Sequence, residues 1–184
     1  MPAVHVQPLP YEDRLDARAE AAIDLVVIHC TELPDLATAR EYGERELYPS
    51  GTGNSGHFYI DRDGSVHRYV APGRIANHTK GYNARSIGIE LVNTGRYPDW
   101  LDSRRQAMDE AYPDAQIEAL IALLRSLQAQ FPSLRQIAGH EDLDTTRVEA
   151  SDDPAVLVPR KRDPGPLFPW QCVLAAVPLQ RLAP

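Results

Sequence analysis

Cysteine, methionine and tryptophan each occur only twice in this 184-residue chain, and phenylalanine three times. Two cysteines cannot build a disulfide framework, so reduced thiols are the simpler expectation, with a single Cys30–Cys172 bridge left open. Long hydrophobic runs are missing too. The longest, Leu25–Ile28 and Val173–Val177, fall far short of the ~20 apolar residues that span a bilayer, and the mean hydropathy is -0.38. No membrane span is therefore expected. Nor is there a basic excess: 19 Lys and Arg face 26 Asp and Glu, for a net charge of -7. Such a surface repels a phosphate backbone, which argues against nucleic acid as a partner. The stretch Met1–Asp16 has no basic start followed by an apolar segment and carries Glu12, Asp13 and Asp16. It does not resemble an export signal, so a cytoplasmic location is expected, and a periplasmic one only if a signal has been removed.

What remains reads as one domain of alternating strands and helices, without repeats. Asp24–Thr31 (DLVVIHCT) is a nearly unbroken apolar run ending in His29, the pattern of a strand buried on both faces. Leu36–Leu47 predicts a first helix and Tyr48–Gly56 a loop. His57–Asp61 and Ser65–Val70 flank Arg62-Asp63-Gly64, a hairpin pattern. In Ser86–Asn93 (SIGIELVN), alternation puts Ile87, Ile89 and Leu91 on one face and Gly88 and Glu90 on the other. Asp114 is expected to cap a helix running to about Gln130, with Ile117, Leu120, Ile121, Leu124 and Leu127 at helical spacing. Pro132 ends it, and Leu134–Gly139 predicts a short strand that delivers His140. Asp142–Arg162 reads as a long loop, Trp100–Tyr112 as a polar insertion and Pro169–Val177 as a closing helix. The expected division is an extension over 1–23, a domain over 24–177 and a tail over 178–184.

Three metal-ligand types sit where such segments stop: His29, His140 and Asp163, the last just before Pro-Gly-Pro. Two imidazoles and a carboxylate leave one position of a tetrahedral zinc open, the arrangement of a catalytic site. Spacing alone links them weakly, because no local motif joins residues so far apart.

Five ordered segments add to this: LVVIHCT from Leu25, SGHFYIDRDGSVHRYV from Ser55, NARSIGIELVN from Asn83, IAGHEDL from Ile137 and KRDPGP from Lys161. Together they resemble the type 2 N-acetylmuramoyl-L-alanine amidase family, which includes the cytosolic AmpD-like anhydromuramyl-peptide amidases, phage amidases and the peptidoglycan recognition proteins. The resemblance covers about Asp24 to Trp170. It implies a single α/β domain with a mixed central β-sheet flanked by helices and a zinc site at one end of the sheet. It also implies one Zn2+ held by His29, His140 and Asp163, with Glu90 and Lys161 catalytic. His57, His78, Asn83 and Arg85 fall where the family lines its cleft and so are expected to bind substrate.

The implied reaction is hydrolysis of the amide between the muramoyl lactyl group and L-alanine, in a muropeptide or peptidoglycan substrate and most naturally in 1,6-anhydromuropeptides of wall recycling. A periplasmic or phage-type murein amidase and a non-catalytic peptidoglycan-binding module are the alternatives; the binding module is weakened by the complete ligand set. The chain departs from the family at two places. Asn77 stands before His78 where relatives usually carry an aromatic residue. The 23 positions from His140 to Asp163 exceed the compact family spacing, and the extra stretch Thr145–Pro159 is expected beside the metal.

Overall fold

The computed structural model describes residues 3–182; the outermost two residues of both the 1–23 extension and the 178–184 tail lie outside them. In chain order the elements are β1 (Val4–Val6), β2 (Leu25–Cys30), α1 (Leu36–Gly43), β3 (Phe58–Ile60), β4 (Val66–Arg68), β5 (Ser86–Leu91), α2 (Asp114–Gln130), β6 (Gln136–Gly139), α3 (His140–Leu143), β7 (Arg147–Glu149), β8 (Leu157–Pro159), α4 (Trp170–Ala176) and β9 (Gln180–Arg181). Seven strands form one sheet in the order β1-β4-β3-β5-β2-β6-β9, and β7 and β8 form a separate hairpin. Only β3 and β4 pair antiparallel within the large sheet; β3, β5, β2, β6 and β9 run parallel. This is the mixed α/β architecture expected from the sequence. At the sheet's two edges, β1 pairs with β4 and β9 with β6. His5 and His67 stack there, ring centres 5.0 Å apart.

The two faces of the sheet have different covers. Val26, Ile28, Ile87, Ile89, Leu91 and Ile137 share one buried cluster with Leu120, Leu124 and Leu127 of α2 and Val173 of α4. This is the apolar face that strand alternation assigned to Ile87, Ile89 and Leu91. Burying a Leu or Ile side chain contributes about 1.5–3 kcal/mol, so this layer carries much of the fold's stability. The opposite face presents Leu25, Val27 and Ala138, with Tyr82 and Leu143 packed on them.

Three local expectations need correction. α1 stops at Gly43, four residues before Leu47, because the Tyr11 hydroxyl donates to the Gly43 carbonyl (2.6 Å) and the amides of Leu47 and Tyr48 turn to Thr52 O. Its start is set by Asp35, which accepts from Thr38 N at 2.7 Å. The cap of α2 is Pro113, and Asp114 is its first helical residue, where a carboxylate meets the positive end of the helix dipole. The loop expected over Asp142–Arg162 contains the β7–β8 hairpin, with Val148 opposite Val158. Cys30 is buried, Cys172 is exposed and both are free, in line with the expectation of reduced thiols.

Candidate metal centre

β2, β5 and β6 run parallel side by side, so their C-terminal ends open on one edge, the usual place for a ligand crevice in an open α/β sheet. The register puts His29 opposite Glu90 and Ile28 opposite Gly139, which brings His140, the next residue, beside His29. Strand alternation turns His29 and Glu90 to the face away from α2. There the two imidazoles stand with ring centres 4.6 Å apart.

Asp163 enters from the other side, on the segment after β8. Its backbone carbonyl accepts from Glu141 N at 2.9 Å, and the Tyr112 hydroxyl donates to the neighbouring Pro164 carbonyl at 2.6 Å. Its Oδ2 lies 2.9 Å from His29 Nδ1 and 3.1 Å from His140 Nδ1. Its Oδ1 is buried without a partner. Among the described residues, His29, His140 and Asp163 form a cluster of potential metal ligands whose atoms all lie within 4.8 Å of one another. All three side chains are buried.

Lone pairs this close repel one another unless a proton or a metal cation sits among them, and an orphaned buried carboxylate oxygen costs free energy. A zinc ion fits both needs and this mixed N/O donor set.

The protonation pattern agrees. Burial, then the neighbouring His140, pushes the His29 imidazole down to about 4, so it is neutral as a ligand must be. Burial alone would raise the Asp163 carboxyl, but His140 and His29 outweigh it and hold Asp163 well below the usual carboxylate range. Glu90 behaves oppositely. Burial, reinforced by Asp163 and partly opposed by Lys161, pushes its carboxyl well above the ordinary value. Its side chain remains 14 % exposed, with Oε1 4.0 Å from His29 Nδ1, so it faces the cleft and not the core. Gly56 makes room for it: a Cβ there would stand 2.7 Å from Glu90 Cγ.

The cleft has a volume of about 1020 Å3, and its lining includes His29, Glu90, His140, Lys161, Asp163, His78 and Asn83. Lys161 is held through its neighbours, since Arg160 N donates to Thr146 O (2.8 Å) and the Arg160 guanidinium pairs with Asp144. Asn83 uses its side-chain oxygen to accept from the amides of His78 (3.1 Å) and Thr79 (2.7 Å), which shapes the wall. Asn77 donates to Gly53 O; the cleft's exposed aromatic surface comes instead from Tyr42, Tyr48 and Trp100.

The structure does not bring His57 and Arg85 to the cleft. His57 is fully buried, its Nδ1 accepting from Gly88 N at 3.0 Å and its Nε2 lying 2.9 Å from the Arg18 guanidinium. Arg85 sits at the opposite end of β5, paired with Asp24 at 2.6 Å and donating to Gln136. In both cases a nearby partner in the fold has claimed the side chain that the sequence motif placed near substrate.

Sequence reasoning missed the Glu32–Arg96 pair. Arg96 is 1 % exposed and donates to both carboxylate oxygens of Glu32, at 2.6 and 2.8 Å. It also donates to the Pro159 carbonyl at 2.9 Å, two residues before Lys161. A contact between residues 64 positions apart leaves no periodic trace in the sequence.

The N-acetylmuramoyl-L-alanine amidase family (Amidase_2) matches residues 19–166. The chain is 35% identical over 134 residues to the 1,6-anhydro-N-acetylmuramyl-L-alanine amidase AmpD of Salmonella typhimurium, a stretch covering 68% of this chain and 58% of that protein. It is 29% identical over 133 residues to the endolysin of Escherichia phage T7, covering 70% and 82%. Its fold is similar to that of AmiD, an N-acetylmuramyl-L-alanine amidase from Escherichia coli solved with the substrate anhydro-N-acetylmuramic acid-L-Ala-D-gamma-Glu-L-Lys. There the TM-score is 0.65 at 25% identity, over 86% of this chain and 58% of that one. The chain thus spans little more than half the length of its AmpD relative.

Proposed function

The chain belongs to the N-acetylmuramoyl-L-alanine amidase family, and from that membership we propose that it is a zinc-dependent amidase cleaving the bond between the muramoyl lactyl group and L-alanine of peptidoglycan fragments. The observation that carries the reading is the convergence of His29, His140 and Asp163 within 4.8 Å, with Glu90 on the same sheet face and Lys161 on the same cleft. A zinc ion held by these three residues would polarise the scissile carbonyl and lower the pKa of a water towards ~7.

The chain's own groups do the rest. Glu90, with its proton affinity raised by burial, is suited to accept the proton of the attacking water and return it to the leaving amine, a role worth roughly 10²–10⁴-fold. The Lys161 ammonium hydrogen-bonds the oxyanion that forms as the carbonyl becomes tetrahedral.

Free 1,6-anhydromuropeptides are the favoured substrate, supported by the resemblance to AmpD and by the substrate held in the similar AmiD structure. That reading goes with wall recycling and a cytoplasmic setting. The longer coverage of the phage endolysin supports a second substrate, intact murein. Among the described residues no helix is long and apolar enough to cross a membrane.

Incubating the zinc-loaded protein with anhydromuropeptides and, separately, with murein sacculi tests both readings by mass spectrometry. The expected products are a free stem peptide beginning with L-alanine and a sugar retaining its lactyl carboxylate. Chelator should stop their release and added zinc restore it. Fragments bound but left intact by the zinc-loaded protein would establish a binding module instead.

A further inference from the structure

Both ring nitrogens of His78 are engaged inside the protein. Nδ1 lies 3.0 Å from His29 Nε2, and Nε2 lies 3.2 Å from Ser86 Oγ. Ser86 Oγ in turn donates to the Tyr82 carbonyl at 2.8 Å. Ser86 is fully buried and Thr79, the residue after His78, is 2 % exposed, while the part-buried His78 ring borders the cleft.

The proton positions along this line follow from what each group is able to do. A carbonyl oxygen only accepts, so the single hydroxyl proton of Ser86 points at Tyr82 O. The lone pairs of Ser86 Oγ therefore face His78, whose Nε2 must donate. A neutral imidazole carries one N–H, which leaves His78 Nδ1 as an acceptor. His29 Nε2 then donates to it, and the His29 lone pair is confined to Nδ1, the atom facing Asp163 Oδ2 at 2.9 Å. Thr79 Oγ1, 3.1 Å from His78 Nδ1 and 3.4 Å from His29 Nε2, is compatible with this assignment only as a donor to the bare Nδ1 or an acceptor from His29. The space for the His78 ring comes from Gly88, where a Cβ would stand 2.7 Å from the ring atoms.

We propose that His78 is a positioning residue: through a relay fixed at the Tyr82 carbonyl and passing by way of Ser86, it selects the tautomer of His29 that offers Nδ1 to the metal. This rests on the metal-centre reading above, and it gives His78 a task other than the substrate contact expected from its motif. Metal-ligating histidines commonly depend on such an outer partner, and losing it typically weakens metal affinity 10–100-fold.

Two measurements on the full chain test the relay. With 15N-labelled histidine, NMR of both the zinc-loaded and the zinc-free protein should show His78 protonated at Nε2 and bare at Nδ1. The zinc-loaded protein should also show a coupling across the hydrogen bond from His29 Nε2–H to His78 Nδ1. A proton on His78 Nδ1 in either state overturns the relay. Zinc affinity, measured by competition with a chelating dye, should fall roughly 10–100-fold in His78→Phe, which keeps a ring but no acceptor. It should stay within about threefold in His78→Asn, whose side-chain oxygen replaces Nδ1 as acceptor, and fall by an intermediate amount in Ser86→Ala. Equal affinities in all three variants and the parent chain would overturn the proposal. A parent chain that takes up no zinc would instead refute the metal reading, with the His78 tautomer still deciding the relay.

Discussion

His29 and Glu90 are register partners on neighbouring parallel strands, with His29 Nδ1 4.0 Å from the Glu90 carboxylate. One sheet therefore places the proposed metal ligand and the proposed proton carrier side by side, and the two roles are separable by substitution. Glu90→Gln keeps the shape and leaves His29, His140 and Asp163 untouched. Its zinc content should equal that of the parent while kcat falls at least about 100-fold. His29→Ala removes one of three protein ligands and should lose both zinc and activity. Elemental analysis beside a turnover assay reads both, and near-normal turnover in Glu90→Gln would assign the proton transfer to another group.

The buried Glu32–Arg96 pair should act on stability and on the position of Lys161 together. Arg96→Met leaves the Glu32 carboxylate buried without its partner, a change that costs about 3–5 kcal/mol. It also frees the Pro159 carbonyl that Arg96 holds at 2.9 Å. Urea unfolding should show the double replacement Glu32→Met with Arg96→Met to be less destabilised than the two single losses combined, because no uncompensated charge remains. Strict additivity would mean that the two side chains are not coupled.

Most of the sheet was legible because β2 and β5 are read from period-two alternation and unbroken apolar runs, and those patterns decide which face each residue takes. The same alternation put Glu90 on the face opposite Ile87, Ile89 and Leu91, and that face carries the cleft. What escaped has a common physical cause. The β7–β8 hairpin has strands of three residues, two of the six positions charged and one occupied by Pro159, too short for a periodic pattern. Arg85 is drawn away by Asp24, 61 positions distant, and the role proposed for His78 depends on where the Ser86 hydroxyl proton points. Contacts of this kind are made by the tertiary fold and have no local spacing.

His57 should make the protein acid-sensitive. Burial, then the nearby Arg18 cation, pushes its imidazole down to about 3, against about 6.5 in an unfolded chain. Below about pH 6.5 the unfolded chain takes up a proton that the folded one refuses. Stability is thus fully present above that pH and is lost as pH falls towards the folded value, by up to about 1.4 kcal/mol per pH unit. His57→Asn, whose side-chain oxygen still accepts from Gly88 N, should unfold in urea with a pH dependence shallower by about one proton over that window. An unchanged slope would show that other groups take up the proton.

The β7–β8 hairpin should influence large substrates without touching the chemical step. Only its base reaches the cleft, through Asp144, Thr146 and Arg160, and its outer part docks instead on the Trp100–Tyr112 insertion. Ser151 N donates to Leu101 O at 2.9 Å, and Ser103 donates to Asp152 through both its amide and its hydroxyl. Because Glu149 pairs with Leu157, residues 150–156 can be replaced by Asn-Gly, a two-residue turn matched to the strand twist. The ligands and Lys161 lie outside the replaced stretch, so zinc content should be retained and kcat/KM on a soluble muropeptide should stay within about threefold. The exposed carboxylate of Asp153 would be gone, and with it a repulsion of anionic stem peptides that added salt would otherwise screen. The ratio of activity on intact murein to activity on the small fragment should therefore change, most at low ionic strength. An unchanged ratio would reduce the hairpin to a spacer, and loss of zinc would show that it folds as part of the metal centre.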